Sequence, residues 1–138
     1  MHYAISYVSS VNPNLTEEDI QEVLKYTRSW NNDHGITGIL LYSEGNFFQV
    51  LEGEKELLKS LLSRIVKDER HNSVMVIFQK EVSQTKFNDY QSDFISLDSR
   101  FQSKNIDLYF SQIDKLNPKI QSSVRYILNN FAEGIKSL

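Results

Sequence analysis

A chain of 138 residues with a net charge of −3 and 24% charged residues is long enough to bury a core and suits one principal domain with a small appendage. Its charges are mixed, without the basic stripe a nucleic-acid surface needs, and no apolar run approaches the roughly 20 residues of a membrane span. The absence of Cys excludes disulfides, thiolate metal ligation and a Cys nucleophile, and the three histidines, His2, His34 and His71, lack ligand spacing, so no metal site is expected.

Along the chain, residues 2–9 alternate, with Tyr3, Ile5 and Tyr7 on one face and Ala4, Ser6 and Val8 on the other, which predicts a strand. It begins the chain in place of a signal peptide, so a cytoplasmic protein is expected. Thr16 followed by Asp19 predicts a helix N-cap, and Ile20, Val23, Leu24, Thr27 and Trp30 or Asn31 keep helical spacing to about residue 30. Residues 36–43 and 47–52 form a predicted hairpin around Ser43-Glu44-Gly45-Asn46. Residues 54–68 carry Leu57, Leu58, Leu61, Leu62 and Ile65 at helical spacing, and two further strands are predicted over 73–82 and about 89–97.

This order predicts an α+β class: a ferredoxin-like βαββαββ fold with a five-stranded mixed sheet, two helices on one face, and C-terminal helices. The hairpin mate is expected beside the first strand and parallel to it, bringing Tyr7 and Gln49 onto neighbouring strands facing the two helices. After residue 98, Ile106, Leu108, Tyr109, Phe110 and Ile113 suggest a short helix, and Ile120, Val124, Ile127, Leu128 and Phe131 a second. These are expected to cover the sheet face carrying Val8, Phe48 and Val50, with a dimer contact as the competing use. The expected division is 1–98 for the main domain and 99–138 for a helical extension.

The residue types that carry chemistry centre on Gln49. Alternation in Asn46-Phe47-Phe48-Gln49-Val50-Leu51-Glu52-Gly53 puts its amide on the face of Phe47 and Leu51. A buried amide without partners costs roughly 1–3 kcal/mol, so Gln49 either satisfies a structural need, for instance with the Tyr7 phenol, or binds a ligand. Aromatic residues make up 12% of the chain, enough to line a flat ligand as well as a core.

Tyr7-Val8-Ser9-Ser10, Trp30-Asn31-Asn32-Asp33-His34-Gly35-Ile36-Thr37-Gly38, Phe47-Phe48-Gln49-Val50-Leu51-Glu52-Gly53-Glu54 and Arg64-Ile65-Val66-Lys67-Asp68-Glu69-Arg70-His71, in this order and spacing, closely resemble the BLUF family of flavin-based blue-light receptors, over residues 3 to about 95. The resemblance implies a short stand-alone photoreceptor with noncovalent FAD clasped by the two helices. It implies that Gln49 lies between the flavin N5/O4 edge and the Tyr7 hydroxyl, that Asn31 bonds the pyrimidine edge, and that Arg64, Asp68 and His71 stand near the flavin. The bland alternatives are a solvated Arg64–Asp68 ion pair one turn apart on the second helix and a structural His71. Trp30 is expected either against the ring or in the helix core, and Ile36-Thr37-Gly38 is expected to set strand geometry.

The resemblance departs at the fifth strand, where Tyr90 and Ser92 stand in place of the family's usual Trp and Met, leaving output and lifetime open as possible points of modulation. The function implied is a non-enzymatic blue-light sensor whose Tyr7–Gln49–flavin hydrogen bonds rearrange in light and signal to an unidentified downstream protein or through a homo-oligomer, without nucleic acid or membrane. The alternative is a light-independent interaction module of the same fold with a vestigial flavin site. A flavin oxidoreductase is disfavoured because no substrate site is evident.

Overall fold

The computed structural model describes residues 2–43, 45–82, 94–98 and, within the C-terminal part, 111, 113, 114, 116, 117, 120–126 and 129. Strand β1 (His2–Val11) is followed by helix α1 (Glu17–Asp33), the hairpin β2 (Thr37–Ser43) and β3 (Asn46–Glu54), helix α2 (Lys55–Lys67), and strands β4 (His71–Glu81) and β5 (Phe94–Asp98). The spatial order is β4-β1-β3-β2-β5, with β3 in the middle. The α+β class expected from the sequence therefore holds.

One expectation is corrected. Strand β3 runs antiparallel to β1, not parallel to it. In a split βαβ unit the helix returns β2 in the direction of β1, and a tight hairpin must then send β3 back the opposite way between them. The neighbour relation survives, because Tyr7 and Gln49 are directly paired in the antiparallel register. β5 is the parallel member, running alongside β2.

Alternation divides the chain into two apolar layers on either side of the sheet. Tyr3, Ile5, Tyr7, Leu40, Phe47 and Leu51 face α1 and α2, whose Ile20, Val23, Leu24, Leu58 and Leu62 complete that core. Ala4, Ile39, Leu41, Phe48 and Val50 form the other layer with Ile113, Leu116, Ile120 and Val124, and Val8 packs at its margin. The C-terminal segment thus covers the second face. Burying one Phe or Leu side chain stabilises by about 1.5–3 kcal/mol, and both Phe47 and Phe48 are completely buried, one on each side. Of the other residues expected on the C-terminal helices, Ile106, Leu108, Tyr109, Phe110, Ile127, Leu128 and Phe131 lie outside the described residues, as do 89–93 of the expected fifth strand.

Helix ends follow local chemistry. The Thr16 hydroxyl accepts from the Asp19 N–H while the Asp19 carboxylate accepts from the Thr16 N–H, a reciprocal capping box. The α1 helix runs to Asp33, three residues beyond the expected end, because Asn31 and Asn32 remain helical and the chain turns only at Gly35, whose φ is +70°. The Glu54 carboxylate caps α2 by accepting from the Leu57 N–H at 2.8 Å.

Candidate functional site

Tyr7 and Gln49 occupy the centre of the sheet on the face toward the helices. Both side chains are buried, and the Tyr7 hydroxyl donates a hydrogen bond to Gln49 Oε1. Burial, reinforced by the nearby Asp68 carboxylate and opposed by the Arg70 guanidinium, raises the Tyr7 pKa well above the ordinary phenol value, so the phenol holds its proton. The amide's oxygen is engaged, while its Nε2 donor has no partner among the described residues.

Asn31 reaches the same place from the end of α1. Its backbone carbonyl accepts from the N–H groups of both His34 and Ile36, the second at 2.9 Å. That return bond is possible because Gly35 adopts a left-handed conformation without a Cβ penalty. The backbone of Asn31 is pinned and the residue buried, yet its Nδ2 also lacks a partner among the described residues.

A third cluster comes from the exit of α2, where the expected geometry needs correction. Asp68 lies beyond the last helical residue, Lys67, in extended conformation, and therefore does not share a helix face with Arg64. Its carboxylate accepts instead from Arg70, whose Nε approaches both oxygens at 2.9 and 3.0 Å, and that contact lowers the Asp68 pKa. Arg64 turns to the aromatic side, its guanidinium 5.1 Å from the Trp30 ring centre, while His34 stacks on Trp30 at 3.7 Å. His71 opens β4. Its Nδ1 is 2.7 Å from Ser9 Oγ, and its ring meets Tyr7 and Phe47 edge-on. Burial lowers the His71 pKa, with Asp68 opposing and Arg70 assisting that shift.

These residues surround one cavity of about 210 Å³ lined by Tyr7, Trp30, Asn31, Gln49, Arg64, Asp68 and His71. Every described residue that the sequence singled out for the site is there. Tyr90 and Ser92 lie outside the described residues. Sequence reasoning missed Arg70, Tyr26 and Phe47 as lining residues. Phe47 was legible, since it shares the Gln49 face, whereas no local pattern marks Arg70, which reaches the site through its contact with Asp68. The cavity joins aromatic and aliphatic walls to the amide N–H₂ groups of Asn31 and Gln49, both without a partner among the described residues. A flat heteroaromatic ring with acceptors on its edge, such as an isoalloxazine, fits that donor set. No group of His, Asp or Glu among the described residues is suited to a metal ion.

Residues 2–93 match the BLUF family, described as sensors of blue-light using FAD. The chain belongs to that family, and it contains a flavin-binding domain of the blue-light-sensing class. It is 31% identical over 80 residues to the photoactivated adenylate cyclase subunit alpha of Euglena gracilis, covering 58% of this chain and 8% of that protein. It is 32% identical over 69 residues to the blue light- and temperature-regulated antirepressor BluF of Escherichia coli (strain K12), covering 50% of this chain and 17% of that protein. The chain thus spans a small fraction of either relative. Among solved structures, the BLUF portion of BlrP1 from Klebsiella pneumoniae superposes with a TM-score of 0.61 at 36% identity, covering 73% of this chain and 67% of the other. A further BlrP1 structure is described as containing FMN.

Proposed function

We propose that this protein is a blue-light photoreceptor that binds FAD noncovalently through Tyr7, Asn31, Gln49, Arg64, Asp68 and His71, with Tyr7 and Gln49 as the photoactive pair. The observation that carries this reading is the engaged oxygen of the Gln49 amide and its nitrogen, unpaired among the described residues, set against a phenol on one side and an open cavity on the other. Among uncharged side chains, an amide offers donor and acceptor at separate atoms, so rotation or tautomerisation reverses its pattern. The bound flavin supplies absorption of blue light and, once excited, a demand for an electron and a proton. Tyr7 holds a proton at its hydroxyl and is placed to give it up toward Gln49 Oε1. Burial of the pair keeps water from competing for those bonds.

With no cysteine in the chain, thioether attachment of the flavin is not available. Residues 1–98 serve as the sensing domain and 99–138 as its helical extension, with Trp30, Tyr90 and Ser92 as modulators. The protein acts in the cytoplasm without chemistry of its own, through a downstream protein partner or a change in homo-oligomeric state; no described helix is long and apolar enough to cross a membrane. Dark and illuminated absorption spectra of the purified protein test the reading. A yellow protein whose spectrum shifts to the red and recovers in darkness is expected, and a protein that stays colourless after incubation with FAD overturns it.

A further inference from the structure

The face of β3 opposite Gln49 carries Phe48, Val50 and Glu52. The first two are buried against Ile113, Leu116, Ile120 and Val124 of the C-terminal segment. Glu52 is a carboxylate on the same face, with a residue exposure of only 5%. Both of its oxygens are engaged. Oε1 lies 3.1 Å from His2 Nε2, which must carry the hydrogen there because a carboxylate only accepts, and Oε2 accepts from the backbone N–H of Asn117 at 3.1 Å. Asn117 is itself buried and starts the helical stretch at 120–126, its carbonyl accepting from the Ile120 N–H at 3.0 Å. A carboxylate is costly to bury, and a non-helical backbone N–H is costly to leave without an acceptor. Here each meets the other's requirement at the point where the C-terminal segment touches the central strand.

We propose that Glu52 is the positioning residue that fastens the C-terminal helical segment to β3, and that a change at Gln49 reaches that segment through β3 itself. The second half rests on the photosensor reading above. Glu52 stands three positions beyond Gln49, about 10 Å along a strand, and of the two residues between them Val50 packs on one layer and Leu51 on the other. A strand held between β1 and β2 transmits a tilt or slide across its own thickness, because Phe48 and Val50 cannot move without their partners in a close-packed layer. The Asn117–Glu52 bond is the polar, geometrically exacting member of that contact.

Hydrogen exchange on the full chain, with and without blue light, tests both halves. In darkness the wild-type Asn117 amide should be protected together with 120–126. Glu52→Leu, which removes both acceptors at similar volume, should accelerate exchange over 113–126 by on the order of tenfold or more, with the absorption spectrum of the bound flavin unchanged. Glu52→Asp, which keeps the charge but withdraws it by one methylene, should act in the same direction and serves if the Leu variant does not fold. Wild-type protein should show faster exchange over 113–126 in light, a difference that shrinks in either variant. Exchange of the Asn117 amide at the rate of an open loop in the wild type, or unaltered exchange in a folded variant, overturns the fastening. A normal red shift with equal exchange in light and darkness overturns the coupling through β3 alone, and absence of any red shift counts against photoreception while the dark measurements still judge Glu52.

Discussion

Asp68 grips Arg70, not Arg64, and the pair places opposite charges beside the buried Tyr7 and the partly buried His71. The arrangement acts on both groups in the same sense: the carboxylate raises each pKa and the guanidinium lowers it. Arg70→Met should therefore raise the His71 pKa, since it removes the lowering charge and leaves Asp68 uncompensated. Titration of the His71 ring resonances by NMR checks this, and an unchanged or lower value would contradict it.

The partly buried His71 also makes the site sensitive to acid. Its folded-state pKa lies below the ordinary value of about 6.5. As pH falls through that ordinary value, the unfolded chain gains a proton before the folded one, so stability declines until the folded-state pKa is passed and then levels. His71→Gln should flatten that part of the profile, as read from thermal unfolding midpoints across mildly acidic pH.

Gln49→Leu and Tyr7→Phe separate binding from photochemistry. Each retains approximate volume while removing hydrogen-bonding groups, so each should still hold flavin and lose the red shift. Gln49→Leu leaves the Tyr7 hydroxyl without its acceptor and should cost about 1–3 kcal/mol of stability. Tyr7→Phe should brighten flavin fluorescence by removing the nearest electron donor. An intact photocycle in Tyr7→Phe with unchanged fluorescence would transfer the donor role to Trp30 or Tyr90.

Alternation made Tyr7 and Gln49 legible as a polar pair, whereas Asn31, Arg64, Asp68 and His71 entered only through the resemblance to the BLUF family. The period of two placed Tyr7 and Gln49 on one face, and Thr16 with Asp19 marked the α1 start, because these signals are local. Strand direction was misjudged because it depends on how a hairpin inserts between two strands, which no single segment encodes. Asp68 was assigned to the helix because Arg64 and Asp68 have helical spacing; the chain leaves the helix one residue earlier and Asp68 pairs forward. The role of Glu52 was not read from the sequence, because its partner Asn117 is 65 residues away.

Gly35→Ala tests how firmly the α1 terminus sets Asn31. A Cβ there meets nothing within 4 Å, so the cost is confined to the φ of +70°. Roughly 1–2 kcal/mol of destabilisation is expected for a non-glycine residue in that conformation. Since the Ile36-to-Asn31 bond depends on this turn, flavin affinity should weaken as well, measurable by fluorescence titration with FAD. Loss of stability without any change in affinity would show that Asn31 is held by other means.

If the flavin is noncovalent, acid precipitation of the purified protein should release it into the supernatant. Colour remaining with the pellet would contradict noncovalent binding.

The Arg64–Trp30–His34 stack has a practical consequence. Trp30 is the only tryptophan in the chain, and it stands in the cavity wall with the Arg64 guanidinium 5.1 Å from its ring centre and the His34 imidazole stacked on it. All indole emission from this protein therefore originates in the wall of the candidate flavin site. A chromophore entering beside it will drain that emission, which gives the unmodified protein a built-in optical gauge of occupancy needing neither dye nor tag.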